Sequence, residues 1–136
     1  MEGHYAPTVS SCQGHECQSR VTVRSGSPSL PVAADPVRLV SAASLLETSI
    51  VVESRHGNPG GRELDLLVHQ ARVQVVAVTA EHIEIAREAW RRFGRGRHPA
   101  GLNFGDGFSY ALAQTSGEPL LFKGGDFSQT DIPAAT

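Results

Sequence analysis

The sequence predicts an α/β domain in which helices flank a parallel sheet, and three observations carry that prediction. Short β-branched runs, Val37-Arg38-Leu39-Val40-Ser41 and Val73-Gln74-Val75-Val76-Ala77-Val78, alternate with longer stretches of helical periodicity. Their order is strand, helix, helix, strand, helix, helix, strand, the alternation expected of a parallel sheet with helical crossovers. The 136 residues suit one domain with a real core.

The chain divides near Asp35. Residues 1–34 are rich in Ser, Pro, Gly, His and Gln, and Val21-Thr22-Val23 is the only hint of a strand among them. That composition reads as an atypical, poorly ordered segment. Residues 35–136 read as the folded domain. After the strand at 37–41, Ser41 or Ser44 can cap a helix from Ala42 to about His56, with Leu45, Leu46, Ile50, Val51 and Val52 as its apolar residues. Gly57-Asn58-Pro59-Gly60-Gly61 stops it. A second helix is expected from about Arg62 to Ala71, burying Leu64, Leu66, Leu67 and Val68. The run at 73–78 is apolar enough for a strand covered on both faces. Thr79 caps the next helix, where Glu81 and Glu84 suit the positive end of the dipole and Ile83, Ala86, Ala89 and Trp90 are expected to face inward. Trp90 at this spacing fits a core or a dimer interface. A further helix starts near Asp106, the short strand Leu120-Leu121-Phe122 follows, and Asp131-Ile132-Pro133 leads out through an edge segment.

Composition excludes several classes. A net charge of −2 names no partner by itself. No apolar run reaches membrane-spanning length, and Met1-Glu2-Gly3-His4-Tyr5 does not open a secretory signal, so a cytoplasmic protein without a membrane partner is expected. The two cysteines, Cys12 and Cys17, are not expected to form a structural disulfide in that compartment. With His4 and His15 they resemble zinc ligands only superficially, because the spacing matches no common module.

The chemistry gathers at the carboxyl edge of the sheet, where open α/β folds bind ligands. Asp106 opens a helix, Asp126 ends the loop after the last strand, and Glu47 lies in the second turn of the helix leaving the first strand. Three carboxylates converging there would repel one another unless a cation sat between them, and oxygen ligands of this kind suit Mg²⁺ or Mn²⁺. Spacing alone equally allows Asp106 as a helix cap, Asp126 as a turn residue and Glu47 as a solvated side chain.

Three motifs narrow this choice: Ser41-Ala42-Ala43-Ser44-Leu45-Leu46-Glu47, Gly96-Arg97-His98-Pro99-Ala100-Gly101-Leu102-Asn103-Phe104-Gly105-Asp106, and Pro119-Leu120-Leu121-Phe122-Lys123-Gly124-Gly125-Asp126-Phe127. With them, residues 37–132 resemble a PIN-domain ribonuclease of the VapC type, the toxin of bacterial toxin–antitoxin pairs. The resemblance implies a PIN-like three-layer fold and a Mg²⁺-dependent endoribonuclease whose acidic cluster includes Glu47, Asp106 and Asp126. It also implies an antitoxin that blocks the site, and a homodimer. The family's opening strand, which ends in a metal-binding aspartate followed by Thr or Ser, has no match in residues 1–34. An alternative reading follows: a catalytically impaired PIN-domain remnant that only binds antitoxin or RNA.

Arg91, Arg92, Arg95, Arg97 and His98 fall in a glycine-broken stretch just before Asp106. Arginine pairs well with phosphate, so the resemblance makes these candidates for binding the RNA backbone. The other reading is a helix end whose cations suit the dipole. Ser109 and Tyr110 are expected to pack, or to support the site residues from behind, rather than act as nucleophiles.

Overall fold

A computed structural model describes residues 21–23, 38–122 and 125–134, the first three as backbone only. Four strands form one sheet in the order β3-β2-β1-β4, with β1 at Val21–Val23, β2 at Arg38–Ser41, β3 at Val73–Val76 and β4 at Leu120–Leu121. β2 and β3 pair in parallel, Arg38 opposite Val73 and Ser41 opposite Val76. β1 is antiparallel to both β2 and β4. β2 and β4 therefore point the same way, and their carboxyl ends share one edge of the sheet.

β1 adds an antiparallel strand to the expected parallel sheet. The weak strand signal at Val21-Thr22-Val23 occupies the place between β2 and β4, and it runs against them. An unfilled central position would leave ladder N–H and C=O groups of both neighbours unpaired, at about 1–3 kcal/mol each. Three residues from either direction can satisfy part of that demand. The remainder of the expected poorly ordered segment, with the Cys12 and Cys17 pair, lies outside the described residues.

The long helical stretch α1, Ala42–Gln70, is broken at Gly57, whose φ of 66° and ψ of −165° are not helical. The expected stop is thus real, but helix resumes sooner than Arg62. Pro59 explains this: proline is tolerated in the first turn of a helix, where its missing N–H has no partner to lose. Past the break Leu64 is buried as expected, while Leu66 is 53% exposed. Before it, the buried residues are Ser44, Thr48 and Val52 rather than Leu46 or Ile50, which face outward. Arg38, itself buried, donates to the Ala71 carbonyl at 2.7 Å and ties the far end of α1 back to β2.

β3 is the edge strand, and Val75 is 45% exposed, so the expected cover on both faces is absent. Thr79 caps α2, Ala80–Phe93, by accepting from the His82 N–H at 3.2 Å. The buried residues of α2 are His82, Ala89 and Phe93; Ile83 and Trp90 are 42% and 48% exposed, which corrects the expectation that they belong to the core and leaves Trp90 the interface reading. The helix α3, Phe104–Ser116, packs against α1 and α2 and ends at Gly117 in the left-handed conformation, φ 69°. Its apolar side meets the main core: Ala89, Phe93, Ala100, Leu102, Tyr110, Ala113, Leu120, Phe127 and Ile132. The expected edge segment near the end of the domain is a single bridge, Leu120 with Ala134, and the Leu120 N–H donates to the Pro133 carbonyl at 2.9 Å.

Candidate active site

The site starts from a seam between α1 and α3. Ser44 on α1 and Ser109 on α3 are both buried, and their hydroxyls lie 3.3 Å apart. Thr48, one turn further along α1, returns its hydroxyl to the Ser44 carbonyl at 2.9 Å. Small hydroxyl side chains let the two helices approach closely. One turn past Ser44, Glu47 therefore reaches the first turn of α3. Its carboxylate lies over Gly105: a Cβ built on that glycine would stand 2.5 Å from Oε2 and 3.0 Å from Oε1.

Asp106 is the next residue and is buried, with 3% relative exposure. It is not the helix cap. Asn103 is, accepting the Asp106 N–H through Oδ1 at 3.0 Å, while Asp106 Oδ2 accepts the Asn103 N–H at 2.9 Å. This reciprocal box fixes the Asp106 rotamer and satisfies two orphan donors of the helix end. Sequence reading missed Asn103, Ser44 and Gly105. The Asn-x-x-Asp spacing before an apolar run was the available signal for the first of them. The amino end of α3 also favours negative charge, which suits Asp106 in its first turn.

Asp126 follows the carboxyl end of β4 and leads into a 3-10 turn, Phe127–Gln129, without capping it through its side chain. It thus follows, along the chain, the strand end that points the same way as the carboxyl end of β2. Among the described residues, however, no three His, Cys, Asp or Glu side chains gather closely enough to hold a metal ion. The structure sets the Glu47 carboxylate against Gly105, the residue before Asp106, and no group of three that includes Asp126 forms among the described residues. The Glu47 carboxylate, over a glycine and one residue from Asp106, supplies oxygen donors of the kind taken by a hard ion of the Mg²⁺ type, which commonly uses one or two protein carboxylates and keeps several waters.

The basic loop separates into two kinds of residue. Arg91 pairs with Glu88 at 3.2 Å, and Arg92 pairs with Asp131 at 3.3 Å while stacking on Phe93. His98 accepts the Ala100 N–H at Nδ1 and sets its ring edge to Phe93, so it shapes the turn. Arg95 and Arg97 have no carboxylate partner among the described residues, and Arg97 lies over the Trp90 ring at 4.1 Å. The loop itself is closed by Leu102 N–H to the Phe93 carbonyl and Arg95 N–H to the Leu102 carbonyl, at 2.9 and 3.0 Å. Beside it runs a groove of about 490 Å³ between α2 and α3, lined by Ile83, Trp90, Arg95, Phe104 and Phe108 among others. Phe104 is 84% exposed there and meets Phe108 edge-on. Ser109 and Tyr110 are both buried packing residues, as expected. No helix among the described residues is long and apolar enough to cross a membrane.

Comparison with known proteins gives the family. The PIN domain profile matches residues 29–133. A ribonuclease VapC of Mycolicibacterium smegmatis is 64% identical over 103 residues, which cover 76% of this chain and 80% of that protein. Ribonuclease VapC30 of Mycobacterium tuberculosis is 61% identical over 101 residues, covering 74% of this chain and 77% of the relative. Ribonuclease VapC28 of the same species is 50% identical over 100 residues, covering 73% and 75%. With most of its length matched by that profile, and with such identity over more than two thirds of each relative, this chain belongs to the PIN-domain family, among the VapC proteins.

Proposed function

We propose that this chain is a Mg²⁺- or Mn²⁺-dependent endoribonuclease, the toxin of a toxin–antitoxin pair. The observation that carries this reading is the Glu47 carboxylate seated on Gly105, one residue from buried Asp106. The relatives' name, ribonuclease, supplies the substrate class. Glu47 and Asp106 hold the ion, with Asp126 approaching from the same edge. When bound, such an ion lowers the pKa of a coordinated water and neutralises charge developing at phosphorus. Around it the chain's own residues bind and orient. Arg95 and Arg97 pair with backbone phosphates beside the acidic edge, and Glu47 orients the attacking water. A cognate antitoxin and a second copy of the chain complete the reading. The exposed apolar side chains Ile83, Trp90 and Phe104 offer such protein partners surface to bury.

A second reading has its own support. The strand between β2 and β4 is Val-Thr-Val and carries no carboxylate. An impaired remnant that binds antitoxin or RNA without cleaving would have such a centre. Losing even a residue that merely supports a metal ligand commonly costs about 10–100-fold. RNA cleavage with Mg²⁺ or Mn²⁺, measured for this chain and its Asp106→Asn variant, separates the two. Cleavage abolished by the substitution supports the enzyme. No cleavage by either chain supports the remnant, and cleavage that survives the substitution refutes the metal assignment.

A further inference from the structure

We propose that Gly105 is a positioning residue, present as glycine to keep a place for the Glu47 carboxylate at the amino end of α3. The inference rests on the metal-dependent reading above.

The backbone does not require glycine at 105. Gly57, Gly96, Gly101 and Gly117 adopt positive φ, and Gly105 is not among them. It sits within α3, where alanine is the better helix former. Gly107, two residues on, has a packing reason: its Cβ would lie 3.2 Å from the Ala86 Cβ on α2. At Gly105 the three nearest atoms all belong to Glu47, at 2.5, 3.0 and 3.1 Å from the absent Cβ. The glutamate head group is therefore what a side chain at 105 would meet first.

Glu47 cannot keep this place by sliding the helices. Ser44 and Ser109 are hydrogen-bonded across the same seam. Ser44 precedes Glu47 by three residues and Ser109 follows Gly105 by four, so the contacts form successive rungs between α1 and α3. With the lower rung fixed, a methyl group at 105 pushes the carboxylate out of its seat. A long flexible side chain accommodates that push at little cost to folding. Ligand geometry does not, since displacements near 1 Å commonly cost about 10²-fold in chemistry. Glycine at 105 thus gives up helix preference for carboxylate placement.

The test is Mn²⁺ binding followed by calorimetry together with thermal unfolding, on the full chain. Asp106→Asn establishes whether Mn²⁺ binds at this edge. Gly61→Ala is the control, because its Cβ would also strike a glutamate oxygen, Glu53 Oε1, at 2.5 Å, away from the acidic edge. Gly105→Ala is expected to melt at or above the parent temperature and to bind Mn²⁺ about 10–100-fold more weakly, with Gly61→Ala binding like the parent. Glu47→Asp, one methylene shorter, is expected to recover part of the binding when combined with Gly105→Ala. Parent-like binding by Gly105→Ala, where Asp106→Asn abolishes it, overturns the proposal and leaves the metal reading intact. So does a marked drop in the melting temperature of Gly105→Ala, which makes its role structural. Absent binding by the parent, or binding unaffected by Asp106→Asn, overturns the metal reading and this proposal with it.

Discussion

The two sides of α3 do different work. One side carries Tyr110 and Ala113 into an apolar cluster with Phe93, Leu102, Leu120 and Phe127. The other side meets α1 through hydroxyls and glycine: Ser109 against Ser44, and Gly105 beneath Glu47. The first side buries large apolar area, which drives folding. The second buries little apolar area and fixes the helix register by directional bonds and close approach. Stability and carboxylate placement are thus held by separate contacts of one helix, and substitutions should separate them.

The largest effect is expected at the apolar side. Phe127 is fully buried, and its ring centroid lies 5.7 Å from that of Phe122. Phe127→Ala should cost about 3–5 kcal/mol in urea unfolding, a large share of the roughly 5–15 kcal/mol typical of a domain. A loss under about 1 kcal/mol would place the core elsewhere. Because Asp126 precedes Phe127, such a variant should also disturb the acidic edge, which is where the separation of the two sides breaks down.

At the polar side, Ser109→Ala strands the Ser44 hydroxyl in a buried seam, at about 1–3 kcal/mol. The double variant Ser44→Ala with Ser109→Ala removes both partners and should cost less than the sum of the single changes. Additive losses in that double-mutant cycle would show that the 3.3 Å contact contributes no coupling.

Asn103→Ala tests the cap shared by the two functions. It removes the acceptor of the Asp106 N–H and should cost about 1 kcal/mol of stability. It also loosens the box that holds the Asp106 rotamer, so Mn²⁺ binding should weaken with it. Unchanged binding would show that helix packing alone sets Asp106.

The smallest effect is one of pH. Burial, and then the hydrogen bond to Asp131, raise the Tyr110 pKa above the ordinary tyrosine value. The neutral hydroxyl, donating to Asp131 at 2.7 Å, is the form the fold prefers. Its contribution is full below the unfolded-state pKa of about 10 and is lost as pH rises through the raised native value. Tyr110→Phe should cost about 1 kcal/mol near neutrality and flatten the decline of stability above pH 10. An equal decline in parent and variant, by urea titration, would assign the alkaline transition to other groups.

Sequence alone determined what depends on neighbours along the chain. The order of helices and strands, the break at Gly57 and the Thr79 cap follow from hydrophobic period, proline and glycine chemistry and side-chain-to-backbone bonds within four residues. The places of Glu47 in the second turn of α1 and of Asp106 in the first turn of α3 were also legible, because both follow from where each helix starts. Tertiary structure alone decided which sides of the helices are covered. Leu46, Ile50, Ile83 and Trp90 have core-like side chains but stand outside, while Ser44, Thr48 and His82 stand inside. A helix with apolar residues on more than one side does not state which will be buried; the shape of the element packed against it does. The direction of β1 and the seat of Glu47 on Gly105 have the same origin. Both are set by backbones far apart in sequence meeting closely, and periodicity within one segment carries no record of that meeting.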